Sequence, residues 1–150
     1  MKNPKSFYSK PDLLTIGKRL GDIDAFSHWG GHYLLIEFKR YICFSEKDEA
    51  QIRSQLCLAL ETNATYWIVK WYLTADGRTE VSELLEVKPN GKIYKTKIDA
   101  KGVKAMYEAW WKKAKRKTSL NSKWDDTEEI FYRLKNRMFD DPQDGMAAIH

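Results

Sequence analysis

Asp24, Glu37 and Lys39 are the residues of this chain best placed to do chemistry together. Alternate side chains of a strand share a face. In Leu35-Ile36-Glu37-Phe38-Lys39, Glu37 and Lys39 therefore point one way, and Ile36 and Phe38 the other. In the preceding Gly21-Asp22-Ile23-Asp24-Ala25-Phe26, the side chains of Asp22, Asp24 and Phe26 share a face. Folded into a hairpin, the two segments bring Asp24 and Glu37 onto neighbouring strands. Two carboxylates among apolar neighbours are costly to bury, and they repel each other. A Mg²⁺ ion, which takes hard oxygen ligands, reconciles them. Such an ion stabilises charge on phosphoryl oxygens and makes water a better nucleophile. Lys39 adds positive charge and a donor for the attacking water. The set predicts phosphodiester hydrolysis, with Asp24 and Glu37 as metal ligands and Asp22 assisting. The competing reading is a pair of solvent-facing charges on an antiparallel sheet, because a D…ExK match is short.

The elements that must position these groups are legible. Residues 21–29 and 32–42 read as strands joined at Gly30-Gly31, a dipeptide suited to a tight hairpin. The second strand is almost wholly apolar before Glu37, as a central strand should be. Residues 46–62 read as a helix capped by Ser45, with Glu46, Asp48 and Glu49 in its first turn. Ile52, Leu56, Ala59 and Leu60 supply its apolar side. Residues 65–74 are rich in aromatic and β-branched types and predict a strand. A further hairpin, 81–88 with 92–98, turns at Asn90-Gly91. A helix over 99–117 is capped by Asp99, and another over 126–139 aligns Ile130, Leu134 and Met138. A short helix or turn is expected at 7–20 and a disordered tail at 140–150. One domain over 1–139, of the α/β class with a mixed central sheet flanked by helices, accommodates this order.

With 150 residues, 43% hydrophobic, the chain can bury a core, and its net charge of +5 leans towards a polyanionic partner. The excess is local: Lys101 to Lys123 is strongly basic with Glu108 as its single acid, whereas acids dominate after Asp125. Lys104, Lys112, Lys113, Lys115 and Arg116, interleaved with Trp111, are candidates for contact with nucleic acid. A solvated helix face is the competing reading. Cys43 and Cys57 form no CxxC pair and read as buried, reduced thiols, which points to the cytoplasm. His28 and His32 flank the Gly-Gly turn without the companions a zinc site needs. No apolar run approaches the roughly 20 residues of a membrane span, and the first ten residues lack a signal-peptide core.

Gly21-Asp22-Ile23-Asp24-Ala25-Phe26, then Leu35-Ile36-Glu37-Phe38-Lys39, then Gln51 on the following helix resembles the PD-(D/E)XK nuclease superfamily, in particular its small phage-type members. The resemblance covers about residues 20–75. It implies a restriction-endonuclease-like αβββαβ core and Mg²⁺-dependent cleavage of DNA, with Mn²⁺ able to substitute. Asp24 and Glu37 match the metal-binding carboxylates, Lys39 the catalytic lysine and Gln51 a residue that orients the site. Ile23 stands where the motif's proline would be, and Asp22 is the nearest source of a third carboxylate.

The expectation is therefore a small deoxyribonuclease of a bacterial or phage-infected cytoplasm. It should be structure-selective or non-specific, since no recognition domain fits the length, and should pair as a homodimer where both strands are cut. The alternative is a catalytically silent module of the same fold that binds nucleic acid or a protein partner, as a phage inhibitor or assembly factor would.

Overall fold

The computed structural model describes residues 21–40 and 45–139. The element expected at 7–20, Cys43 and the tail from 140 lie outside the described residues. Strands β1 (Ala25–Trp29) and β2 (His32–Lys39) are joined by Gly30-Gly31, whose φ angles of 55° and 83° both lie in the left-handed region. Glycine adopts both angles without strain, and a turn of this hand matches the twist of paired strands. Helix α1 (Glu46–Glu61) begins at Ser45, whose hydroxyl accepts the Asp48 backbone N–H. Strands β3 (Thr65–Leu73), β4 (Thr79–Val87) and β5 (Ile93–Lys97) follow. Helix α2 (Ala100–Arg116) is capped by Asp99, which accepts the Gly102 N–H at 2.8 Å. Helix α3 (Trp124–Phe139) closes the order.

The five strands form one sheet in the order β1-β2-β3-β4-β5. Only β2 and β3 pair in parallel; the other neighbours are antiparallel. A parallel pair needs a crossover, which α1 supplies. One face of the sheet, with Leu35, Tyr66 and Ile68, packs on Ile52, Leu56 and Ala59 of α1. The other, with Leu34, Trp67, Val69 and Leu84, packs on Val103, Met106, Tyr107 and Trp110 of α2. The hairpin tip is held from outside by the α2–α3 connection, where Ser119 donates its backbone N–H to the Gly30 carbonyl at 2.8 Å. A Cβ on Gly31 would stand 2.9 Å from Ser122 Cα and 2.8 Å from its Cβ.

The class is α/β with a mixed five-stranded sheet and three helices among the described residues. Two strands, not three, precede α1 there. Both hairpins lie where the turn dipeptides put them. Leu60 is 56% exposed, because a helix face that buries Ile52, Gln55 and Ala59 carries position 60 round towards solvent. Cys57 is also exposed rather than buried, and its Sγ lies 3.5 Å from Glu61 Oε1. Ile130, Leu134 and Met138 do align along α3, yet more than half of each remains exposed.

Candidate active site

Asp24 immediately precedes β1. The pairing of Ala25 with Ile36, continued by one residue, puts Asp24 opposite Glu37. Its Oδ2 accepts the Phe38 backbone N–H at 2.8 Å, which ties the strand entrance to β2. Glu37 is only 4% exposed. It is buried because β2 lies between β1 and β3 and α1 covers its face. Gln55, buried on α1, donates Nε2 to Glu37 Oε2 at 2.9 Å and to the Asp22 carbonyl at 3.1 Å. The Tyr66 hydroxyl, from β3, donates to Gln55 Oε1. Lys39 reaches the same pocket. Its Nζ donates to Gln51 Oε1 at 2.8 Å and to Asp48 Oδ1 at 3.3 Å, and lies 3.9 Å from Glu37 Oε1.

The electrostatics follow from this packing. Burial raises the Glu37 carboxyl above its ordinary value; the Gln55 hydrogen bond and Lys39 oppose the shift, while Asp24 and Asp22 add to it. Burial likewise raises the Tyr66 phenol, with Glu37 and Asp24 contributing. That group stays protonated and serves as a donor. Asp48 is lowered by its Ser45 hydrogen bond first and by Lys39 second. Glu37 thus bears the strain of a charge held close to a second carboxylate in an apolar surround.

The donor set fits a hard divalent cation. Asp24 spends Oδ2 on a backbone amide and Glu37 spends Oε2 on Gln55. Asp24 Oδ1 and Glu37 Oε1 make no hydrogen bond among the described residues, so each carboxylate has one oxygen that could ligate an ion, with the Lys39 ammonium 3.9 Å from the glutamate's. No group of three or more His, Cys, Asp or Glu side chains gathers as a metal cage among the described residues. A carboxylate pair suffices for Mg²⁺, which usually keeps several waters. Asp22 is exposed; it contributes its carbonyl to Gln55, and its charge is felt at Glu37.

Asp24, Glu37, Lys39 and Gln51 therefore converge. Sequence reasoning passed over Asp48 and Tyr66, and placed Gln55 beside Gln51 as able to face the sheet's active edge without naming it a site residue. Gln55 carried a usable signal, since it stands one helical turn after Gln51 on the side facing the sheet. Tyr66 carried only its hydroxyl within an otherwise apolar strand. Asp48 read as a helix-start charge, which it also is.

The basic residues lie elsewhere. The apolar stripe of α2 packs on the sheet face opposite the Glu37 pocket. Tyr107 OH lies 2.8 Å from Ser27 Oγ, and Trp111 packs edge-on against Trp29 with ring centres 5.0 Å apart. The helix hence runs alongside β1 in the same direction. Lys112, Lys113, Lys115 and Arg116 are exposed beside the hairpin tip, at the end of β1 away from Asp24; Lys104, also exposed, lies nearer the pocket end. Trp111 is half-buried, and Lys115 Nζ sits 5.9 Å from its ring and 6.0 Å from that of Trp29. His28 and His32 are occupied structurally: His28 Nε2 accepts the Gly31 N–H at 2.9 Å, and His32 Nε2 donates to the Lys117 carbonyl at 2.6 Å. Among the described residues no helix is long and apolar enough to cross a membrane. No family model matches the chain, and no curated protein or solved structure matches it either.

Proposed function

We propose that the chain is a Mg²⁺-dependent nuclease that hydrolyses DNA phosphodiester bonds, as the resemblance of its D…ExK motif to PD-(D/E)XK enzymes implies. One observation carries this reading: a buried Glu37 faces Asp24 across the hairpin with Lys39 beside it. Burying that carboxylate next to another works against stability, so a ligand that needs both is the physical reason to keep them. The bound ion would supply charge neutralisation at the phosphoryl oxygens. Asp24 and Glu37 would hold it through Asp24 Oδ1 and through Glu37 Oε1, the oxygen that faces the Lys39 ammonium at 3.9 Å. Gln55, fixed by Tyr66, keeps Glu37 oriented. Lys39, steered by Gln51 and Asp48, offers an ammonium to the attacking water or to the scissile phosphate. Asp48 and Gln51 also keep that ammonium off Glu37 at closer range.

DNA contact along the edge strand would reach both regions. Five residues of strand at about 3.4 Å each put roughly 17 Å between the pocket and the basic hairpin end. That is about half a turn of duplex. Selectivity for a branch, nick, end or single strand suits so small a footprint better than a long base sequence.

The test is cleavage of supercoiled, single-stranded and branched DNA with Mg²⁺, Mn²⁺ or chelator. Cutting should require the metal, and Lys39→Ala should lower it by roughly 10²–10³-fold with the circular dichroism spectrum unchanged. A wild-type chain that cuts none of these substrates but binds DNA with steep salt dependence would establish the silent binding module instead.

A further inference from the structure

Among the described residues, helix α3 is the long element that joins neither packed layer of the sheet, and its sequence carries a pairing code. Trp124, Thr127, Phe131, Leu134 and Met138 recur at alternating spacings of three and four, the seam of a two-stranded coiled coil. Phe131, Leu134 and Met138 are each 57% exposed, and Ile130 beside them is 56% exposed. Trp124 is engaged at its foot, where its ring stacks on His28 at 6.0 Å. The charges are segregated along the axis. Asp125, Asp126, Glu128 and Glu129 occupy the first half, and Arg133, Lys135 and Arg137 the second. None of these seven forms an ion pair among the described residues.

We infer that α3 pairs antiparallel with α3 of a second copy of this chain, through the Thr127–Phe131–Leu134–Met138 seam. Register and charge both select this occupant. In an antiparallel pair, Phe131 of one copy packs against Leu134 of the other, and Thr127 against Met138. That same register sets Glu128 of each copy beside Lys135 of the other, twice by symmetry, and lays Ile130 against the stem of Arg137. The acidic half of each helix then faces the basic half of its mate. The interface is isologous, so it closes at two copies. Trp124 falls outside the overlap, which leaves it free for His28. A parallel pair would instead set Glu128 beside Lys123 and leave Lys135 without an acid. The inference stands apart from the catalytic reading, since no pocket residue takes part.

Sedimentation velocity of the full chain over a micromolar concentration series tests it. Wild type should show a monomer–dimer equilibrium, and Leu134→Asp should be monomeric with an unchanged far-ultraviolet circular dichroism spectrum, because Leu134 is mostly exposed in one copy. Glu128→Lys and Lys135→Glu should each weaken the dimer by roughly three- to tenfold, and the double reversal should restore it. Glu128 and Lys135 are two turns apart and cannot meet within one helix, so rescue reports contact between copies. A wild type that stays monomeric, a dimer indifferent to Leu134→Asp, or a double reversal no better than the singles would overturn the proposal.

Discussion

The two faces of the sheet solve the same packing problem differently. Under α2, Leu34, Trp67, Val69 and Leu84 close an apolar layer, and the Trp67 indole satisfies its single donor on Glu86 at 2.8 Å. Under α1 an equally buried layer is interrupted by Glu37, Gln55 and the Tyr66 hydroxyl. No fully enclosed side-chain nitrogen or oxygen among the described residues lacks a partner, so the interruption is wired apart from Glu37 Oε1, which has only Lys39 at 3.9 Å. Wiring lowers the cost of burying polar groups without making the burial favourable. The first face is built for stability. The second gives up stability to hold a charge at a chosen place, as a functional site does.

Substitutions sharpen that contrast. Trp67→Ala on the apolar face should cost about 3–5 kcal/mol, read from urea denaturation, because its side chain is fully enclosed. A loss under about 1 kcal/mol would mean that this face is not the structural one. Tyr66→Phe should cost about 1–2 kcal/mol, since Gln55 Oε1 loses its donor inside the protein; DNA cutting should fall with it as Glu37 loosens. Glu37→Gln should abolish cutting yet leave the metal-free protein at least as stable at pH 8. The sign follows from the raised carboxyl. Between the ordinary carboxylate value and the folded one, the native state binds more protons than the unfolded state, so stability falls as pH rises through that window. The glutamine variant should lose that slope between acid and neutral pH, and retention of the wild-type slope would place the titration elsewhere. Lys115→Gln, at the far end of the molecule, should change the unfolding midpoint least. It should weaken DNA binding at low salt and reduce the salt dependence by about one ion.

Much of this was legible from local chemistry. Gly30-Gly31, Asn90-Gly91, Ser45 and Asp99 each fix backbone conformation within a few residues, and the turns and caps stand where they predict. The parity of Glu37 and Lys39 was equally local, so the pocket's sheet side was readable. What escaped depends on contacts between elements. The choice of Gln55 rather than Gln51 as the Glu37 partner depends on the phase of α1 above β2. The donation by Tyr66 depends on the parallel register that sets Leu35 beside Tyr66. Lysines on α2 share a segment with tryptophans, but the apolar stripe decided which layer the helix joined, and it took them away from the carboxylates. The exposure of Leu60 and Cys57 has the same origin: spacing names a face without saying how wide the covered strip is.

Gly31 shows how far a small group can reach. Ser122 crowds so close to it that even a methyl there would collide with the crossing backbone. The missing side chain lets the final connection lie flush against the hairpin, and that seating aims the last helix as it departs. An alanine at this turn would leave the carboxylate pocket at the other end of β1 largely untouched. It would swing the helix that is proposed to meet a second copy, and so retune assembly from a position that touches neither the pocket nor the seam.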